Sequence, residues 1–123
     1  MPTILYIEDN PDNMMLVERA IESLGCQLLW ATDGTQGLAM AHATHPDVIL
    51  LDINLPDMEG YHVAQQLRAS GNGVSGAPII AITANALKGD SDKALAAGCN
   101  AYLPKPLNTR ELRRQLLAWL KMT

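Results

Sequence analysis

Acidic, hydroxyl and lysine side chains follow separate apolar runs of this sequence. Glu8 and Asp9 come directly after the first run, Asp52 after the third and Thr83 after the fourth, and Lys105 lies shortly after the fifth. These side-chain types suit phosphoryl transfer, in which a carboxylate attacks phosphorus and hydroxyl and ammonium groups donate to the phosphoryl oxygens. This chemistry requires a fold that brings the five residues together.

Short apolar runs alternate with segments of helical periodicity along the chain. The runs are mostly continuous and partly β-branched, as expected of parallel strands covered on both faces. They span residues 4–7, 28–31, 48–51, 79–82 and, more weakly, 101–103. The pattern predicts an α/β fold and one domain over residues 1–123, a (βα)5 doubly wound, flavodoxin-like three-layer sandwich with a five-stranded parallel sheet.

Polar residues and glycines mark the ends of the predicted helices. Asn10 followed by Pro11 predicts the start of the first helix, and Asn108 with Glu111 resembles a capping box before the last. Two glycines that follow helical segments, Gly25 and Gly98, suit the left-handed position after a helix. Two methionines of the first helix, Met14 and Met15, are interpreted as core residues.

The predicted strand order places three carboxylates in one crevice. With the order 2-1-3-4-5, strands one and three flank the point where the order reverses, so Glu8, Asp9 and Asp52 converge there. Carboxylates about 4 Å apart repel by roughly 4 kcal/mol at an effective dielectric of about 20. Mg²⁺ would remove that repulsion, and it prefers oxygen ligands. Mn²⁺ is the alternative cation.

Each of these residues also has an ordinary structural interpretation. Asp9 and Asp33 suit helix caps, Asp52 suits the start of a turn, Thr83 suits a cap and Lys105 suits a solvated loop. Their occurrence after different strands at one predicted edge favours a joint site. For Asp33 the cap interpretation stands, because strand two lies away from the crevice.

Four motifs resemble those of response-regulator receiver domains, the CheY-like domains of two-component phosphorelays. They occur in the family's order, cover nearly the whole chain and read Glu8-Asp9-Asn10, Leu50-Leu51-Asp52-Ile53-Asn54-Leu55-Pro56, Ile82-Thr83-Ala84 and Leu103-Pro104-Lys105-Pro106. The resemblance implies that residues 1–123 form a single receiver domain. It implies a cytoplasmic phosphoprotein that takes its phosphoryl group from a histidine kinase or a histidine phosphotransfer protein.

The resemblance implies a phosphoacceptor and a metal site. Asp52 would accept the phosphoryl group. Asp9, Asp52 and the backbone carbonyl of Asn54 would bind the Mg²⁺, and Glu8, where many relatives carry Asp, would reach the ion through water.

The resemblance also implies a phosphoryl-contacting pair and a switch. Thr83 and Lys105 would contact the phosphoryl oxygens, and the bond between Lys105 and Pro106 would be cis. Thr83 and Tyr102 would form a switch that alters the face made by helix four, strand five and helix five. Gly89 interrupts the fourth helix, so a labile first turn is predicted there.

A lasting switch is favoured over an enzyme. Related phosphatases place a second Asp two residues after the nucleophile, where this chain has Asn54, so a proton-transfer group is missing from that position. The alternatives are a minimal Mg²⁺-dependent phosphatase and an interaction module that works without phosphorylation. The net charge of −4 and the absence of a long apolar run argue against nucleic-acid and membrane partners. A monomer, or a weak dimer through the face of helix four, strand five and helix five, acting on a downstream protein target, is expected.

Overall fold

Strands and helices alternate along the chain, as the sequence predicts. A computed structural model describes residues 1–70, 76–84, 89 and 91–120. The predicted labile turn before the fourth helix falls mostly on residues 85–88 and 90, outside the described residues. The elements are β1 (Thr3–Ile7), α1 (Pro11–Ile21), a 3-10 turn (Glu22–Leu24), β2 (Gln27–Ala31), α2 (Gly34–Thr44), β3 (Val48–Asp52), α3 (Gly60–Ala69), β4 (Ile79–Thr83), α4 (Ser91–Ala97), β5 (Ala101–Pro104) and α5 (Thr109–Leu120).

The five strands form one parallel sheet in the order β2-β1-β3-β4-β5. The predicted doubly wound (βα)5 fold and its strand order are therefore confirmed. The strands are longer than the predicted runs, because the ladder continues to the pairs Asp52↔Ile82 and Thr83↔Pro104. Asp52 and Thr83 are thus the last residues of β3 and β4, where the prediction placed them just beyond the strands.

The sheet is covered on both faces, which makes the predicted three layers. Alternate residues of β1 and β3 face opposite sides, so Leu5 and Ile49 pack towards α2 and α3 while Ile4 and Leu50 pack towards α1 and α5. All four are fully buried. Burial of each such side chain stabilises the fold by roughly 1.5–3 kcal/mol. This core fixes the carboxyl ends of the central strands.

The structure contains the predicted caps of α1 and α2 and the predicted left-handed glycine after the first helical segment. The Asn10 side chain accepts a hydrogen bond from the Asp12 amide at 2.8 Å, and Pro11 begins α1. Asp33 accepts from the Gln36 amide at 2.7 Å and caps α2, which confirms its structural interpretation. Gly25 has a φ of 69°, the left-handed conformation predicted after the first helical segment.

The cap of the last helix differs in one respect from the predicted capping box. Asn108 accepts from the amides of Arg110 at 3.0 Å and Glu111 at 3.1 Å. The Glu111 side chain pairs with Arg114 one turn further along α5. Asn108 is therefore the cap, while Glu111 stabilises the exposed surface of the helix.

The interpretation of Met15 as a core residue is wrong. Val17, Ala20 and Ile21 are the buried residues of α1. Met15 is two positions before Val17 and so points roughly the opposite way, and its side chain is 50% exposed. Leu16 is 36% exposed, whereas Met14 is half-buried.

The described part of the chain contains no helix long and apolar enough to cross a membrane.

Candidate functional site

Three carboxyl groups meet where β1 and β3 end. One carboxylate oxygen from each of Glu8, Asp9 and Asp52 lies within 4.8 Å of the others. The neighbouring strands pair Ile7 with Leu51, so the residues that follow arrive side by side. Glu8 and Asp52 are buried, and Asp9 is exposed. The three carboxyl groups therefore converge, as the sequence predicts.

β2 holds the backbone of Glu8 in place. The Glu8 amide donates to the carbonyl of Ala31 at 2.9 Å, which continues the ladder beyond β1. The indole Nε1–H of Trp30 donates to the carbonyl of Glu8 at 2.6 Å. Trp30 could not be recognised as a supporting residue from the sequence, because an indole in a strand of apolar residues gives no sign of a partner 22 residues away.

The Glu8 carboxyl group lies against both Asn13 and Asp52. Its Oε1 accepts from the Nδ2 of Asn13, whereas its Oε2 is buried and has no hydrogen-bond partner among the described residues. Burial, first, and the neighbouring Asp52, second, raise the pKa of Glu8 to about 8. A buried carboxyl with an unpartnered oxygen, next to two further acids, is a donor set that fits a divalent cation.

Asp52 sits between the acids and a lysine. Its Oδ1 accepts from the Nζ of Lys105 at 3.1 Å and from the amide of Asn54 at 3.0 Å. The Lys105 ammonium opposes the negative charge of the cluster, and the Asn54 amide fixes the turn after β3. The backbone carbonyl of Asn54 as a metal ligand stays a prediction.

Gly60 lets α3 begin directly against the end of β3. Its amide donates to the carbonyl of Ile53 at 2.8 Å. A Cβ atom at this position would lie 2.5 Å from the backbone oxygen of Asp52, closer than real contacts allow. Only glycine therefore fits this approach, which sets the backbone next to the phosphoacceptor candidate.

Asp57 ties the loop between β3 and α3 to the start of α2. Its carboxylate accepts from the amides of Gly34 at 2.8 Å and Thr35 at 3.0 Å, and from the Thr35 hydroxyl at 2.8 Å. These hydrogen bonds, the Gly34 amide first, lower the pKa of Asp57. This role of Asp57 could not be recognised from the sequence, because its partners are 22 and 23 residues away.

Thr83 and Lys105 stand at the same edge of the sheet as the acids. Thr83 is buried at the end of β4, next to the strand that ends in Asp52. The amide of Ile53 donates to the carbonyl of Ile82 at 3.1 Å and joins the ends of these two strands. The Lys105 amide donates to the carbonyl of Thr83 at 2.9 Å. The bond between Lys105 and Pro106 is cis, the conformation that the resemblance implied.

Tyr102 lies outside this cluster, on the neighbouring strand. It belongs to β5 and is paired with Ala81, two positions before Thr83 along β4. Its side chain is 38% exposed and lines a groove of about 420 Å³ between α4 and α5, together with Leu95 and Gln115. Thr83 and Tyr102 are therefore two positions apart along neighbouring strands. A switch between them stays a prediction.

The fold and the site together define a doubly wound α/β domain with an acidic, lysine-containing cluster at its topological switch point. Residues 4–117 match the family of response regulator receiver domains, and this chain belongs to that family. The predicted family is thereby confirmed, and with it a place in two-component signalling.

Several known proteins are similar to this chain over nearly its whole length. The polar-differentiation response regulator DivK of Brucella ovis is 34% identical over 118 residues, which are 96% of this chain and 95% of DivK. The receiver domain of sensor histidine kinase PA1611 from Pseudomonas aeruginosa is 42% identical, with a TM-score of 0.88 and 98% of each chain covered. That structure holds a magnesium ion in its active-site cleft. Chemotaxis protein CheY4 of Vibrio cholerae is 26% identical, with a TM-score of 0.88 over 96% of this chain and 98% of CheY4.

Proposed function

We propose that residues 1–123 act as one phosphoacceptor receiver domain, in which Asp52 takes a phosphoryl group from a phosphohistidine. The donor is a histidine kinase or a histidine phosphotransfer protein. The observation that carries the proposal is the position of the buried Asp52 carboxylate, 3.1 Å from the Lys105 ammonium and within the acidic cluster. A cationic donor and a set of metal-binding acids on either side of one carboxylate suit an attack on phosphorus.

The two oxygens of Asp52 have different roles. Oδ1 is engaged by Lys105 and by the Asn54 amide, so Oδ2 is the oxygen that attacks phosphorus. The new bond joins Oδ2 to phosphorus, and the phosphorus–nitrogen bond to the donor imidazole breaks. The electron pair of that bond stays on the imidazole nitrogen, which leaves an acyl phosphate on Asp52.

Glu8, Asp9 and Asp52 are the residues that would hold Mg²⁺, or Mn²⁺ in its place, with the carbonyl of Asn54 as a further ligand. When bound, the ion neutralises the acids and the phosphoryl oxygens. Thr83 donates its hydroxyl to one phosphoryl oxygen, and Lys105 moves its ammonium from Oδ1 of Asp52 to another. The Mg²⁺ of the PA1611 receiver domain supports this cation for the present chain.

The acyl phosphate is the signal and not a step of turnover. Asn54 stands where a phosphatase would carry an acid, so water attack lacks a proton-transfer group worth roughly 10²- to 10⁴-fold in rate. Inward movement of the Thr83 hydroxyl would let Tyr102 reorient. That change would alter the groove between α4, β5 and α5 and so the contacts with a protein target, or with a second copy in a weak dimer.

The surface of α1 beside the site is where the donor would approach. Met15 and Leu16 are exposed there, although both are apolar. Leu16 also lines a groove of about 370 Å³ that reaches Lys105 and Pro106. Apolar side chains next to a reactive carboxylate favour a protein donor, because burying them on contact would stabilise the encounter.

Phosphorylation by a small donor tests the proposal. With acetyl phosphate and Mg²⁺, the wild-type chain should gain one phosphoryl group, measured by intact-mass spectrometry, and Asp52→Asn should gain none, because the amide is not a nucleophile here. Asp33→Asn, which alters only a helix cap, should be labelled as the wild type is. Labelling of Asp52→Asn would contradict the assignment.

The same preparation separates the alternatives. Repeated turnover of a phosphomonoester by the wild-type chain would favour the phosphatase. Failure to bind Mg²⁺ at millimolar concentration would favour the module that works without phosphorylation.

A further inference from the structure

The connection between β1 and α1 carries two of the three acids of the candidate metal site. It comprises residues 8–10, between the last residue of β1 and the first of α1. Glu8 is buried and Asp9 is exposed, yet one carboxylate oxygen of each lies within 4.8 Å of the other and of an oxygen of Asp52. The convergence of these two acids on one ion therefore depends on the orientation of the backbone between them.

A side chain of β2 holds that backbone. The indole Nε1–H of Trp30 donates to the carbonyl of Glu8 at 2.6 Å. A carbonyl and the amide that follows it belong to one planar peptide group, so this hydrogen bond also sets the orientation of the Asp9 amide. The indole thus acts on the one peptide group that joins the two acids.

The indole bond lies where the backbone ladder between β1 and β2 stops. A residue of a parallel strand commonly uses both its amide and its carbonyl with the same neighbouring strand. The Glu8 amide donates to the carbonyl of Ala31, the last residue of β2, and the chain then bends towards Asp33, which caps α2. The Trp30 indole is the partner of the Glu8 carbonyl. Because this donor is a side chain, a substitution can remove it and leave the rest of the ladder in place.

We propose that Trp30 is a positioning residue of the metal site: its indole N–H fixes the peptide group between Glu8 and Asp9 and holds both carboxylates towards the ion that they share with Asp52. The inference rests on the proposed function, since it assumes that the cluster binds Mg²⁺. If Trp30 only packed against its neighbours, the shape of its ring would matter and its N–H would not affect metal affinity. Groups that orient metal ligands typically alter affinity by about 10- to 100-fold when they are removed. Action through the backbone places Trp30 at the lower end of that range.

Isosteric replacement of the Trp30 indole tests the inference. The chain has two tryptophans, so in a Trp119→Phe background the incorporation of benzothienylalanine in place of tryptophan changes position 30 alone. This analogue keeps the bicyclic ring and carries sulfur where the indole carries its N–H. Calorimetric titration should show a Mg²⁺ Kd roughly tenfold higher than that of the Trp119→Phe parent. Trp30→Phe should lose at least as much affinity.

Trp119→Phe is the matched control. Its indole N–H donates to Oε1 of Gln115 at 3.0 Å, and Trp119 lines a groove with Asp47 at the amino end of the sheet. Loss of this indole should leave the Mg²⁺ Kd of the wild type unchanged. An equal loss of affinity in Trp119→Phe would overturn the inference, because the effect would then not depend on the bond to Glu8.

The indole N–H of Trp30 also gives a spectroscopic readout in the wild type. Proton–nitrogen correlation spectra should contain two indole signals, which Trp119→Phe assigns. The Trp30 signal should shift during a Mg²⁺ titration with the midpoint that calorimetry gives, whereas the Trp119 signal should stay in place. A Trp30 signal that does not move while calorimetry shows binding would overturn the inference.

The analogue separates failure of the inference from failure of the proposed function. An unchanged Kd for the analogue, with normal Mg²⁺ binding by its parent, would overturn the positioning role and leave the proposed function intact. Absence of Mg²⁺ binding by the wild type would overturn both. Thermal melting in EDTA checks that each variant is folded. Because the analogue retains the ring, it decides the question even if Trp30→Phe does not fold.

Discussion

Polar side chains at the two ends of the sheet differ in whether the chain provides their hydrogen-bond partners. At the carboxyl end, Glu8 and Asp52 are buried side by side, and one oxygen of Glu8 has no partner among the described residues. At the amino end of β4, the guanidinium of Arg68 donates to the carbonyls of Gly98 at 2.8 Å and Ala77 at 2.6 Å, and to Oδ1 of Asn100 at 2.5 Å. We call these two regions the acidic rim and the Arg68 clip.

The difference distinguishes a region that serves function from a region that stabilises the fold. The Arg68 clip fastens α3 to the start of β4 and to the turn between α4 and β5, and its groups satisfy one another within the chain. The acidic rim concentrates acidic groups that Lys105 and Asn13 satisfy only in part. Sites that bind ions and phosphoryl groups are commonly less stable than the scaffold around them. Substitutions in the two regions should therefore have opposite consequences.

Removal of the Arg68 clip should give the largest loss of stability. Arg68→Ala deletes three charge-assisted hydrogen bonds and leaves two backbone carbonyls without their donor, so we expect the free energy of unfolding to fall by about 4 kcal/mol. The Mg²⁺ Kd of the folded fraction should stay unchanged. Urea unfolding measures the first effect and calorimetric titration the second. Arg110→Ala, an exposed arginine of α5, is the matched control and should change little. A weakened Mg²⁺ site in Arg68→Ala would break the separation of the two regions.

Removal of charge from the acidic rim should instead increase the stability of the fold. The pKa of Glu8 is raised to about 8 in the fold from an ordinary value of 4.5, so the folded chain binds a proton that the unfolded chain releases. Stability without Mg²⁺ should thus decline as pH rises from 4.5 to 8 and then level off. Glu8→Gln should remove this decline and be more stable than the wild type by on the order of 3 kcal/mol at pH 9. Urea unfolding at several pH values in EDTA checks this. Parallel curves for the two proteins would contradict it, and Glu22→Gln, outside the rim, should follow the wild type.

The same proton should couple Mg²⁺ binding to pH. Glu8 must lose its proton to face a cation, so the Kd should fall by roughly tenfold per pH unit well below pH 8 and become constant above it. Calorimetry in two buffers of different ionisation enthalpy should count about one proton released at pH 7. Glu8→Gln should bind more weakly and lose this pH dependence. A proton count near zero for the wild type would show that Glu8 is already ionised.

The acidic rim could be predicted from sequence because one rule locates it. Parallel strands end at a common edge, so Asp52 and Thr83 are brought together by their places after two apolar runs, and the family motifs supply their roles. The alternation of runs and helical segments predicts parallel strands but does not give their order, and 2-1-3-4-5 is expected because it is the commoner five-stranded arrangement. Met15 shows where the rule is weak, since two methionines in a helix do not reveal which of them faces the core.

The supporting contacts could not be predicted, because they join residues far apart in the sequence. Arg68 reaches Asn100 across 32 positions, and Trp30 reaches Glu8 across 22. Neither residue type specifies its partner until the fold has placed the backbone carbonyls. The chemistry of the site is therefore local in sequence, whereas its support is not.

Asp57 shares a feature with each region: its carboxylate has hydrogen-bond partners within the chain, and it supports the acidic rim. It fastens the loop after Asp52 to the first turn of α2, so Asp57→Ala should let the Asn54 backbone move and raise the Mg²⁺ Kd by roughly two- to threefold, as expected of an exposed contact. The change should shrink at 1 M salt, where the screening length is only about 3 Å. Asp33→Ala is the matched control, since Asp33 caps the same helix but is not part of the loop. An equal loss in Asp33→Ala would assign the effect to α2 itself, and the loop would then hold its position without Asp57.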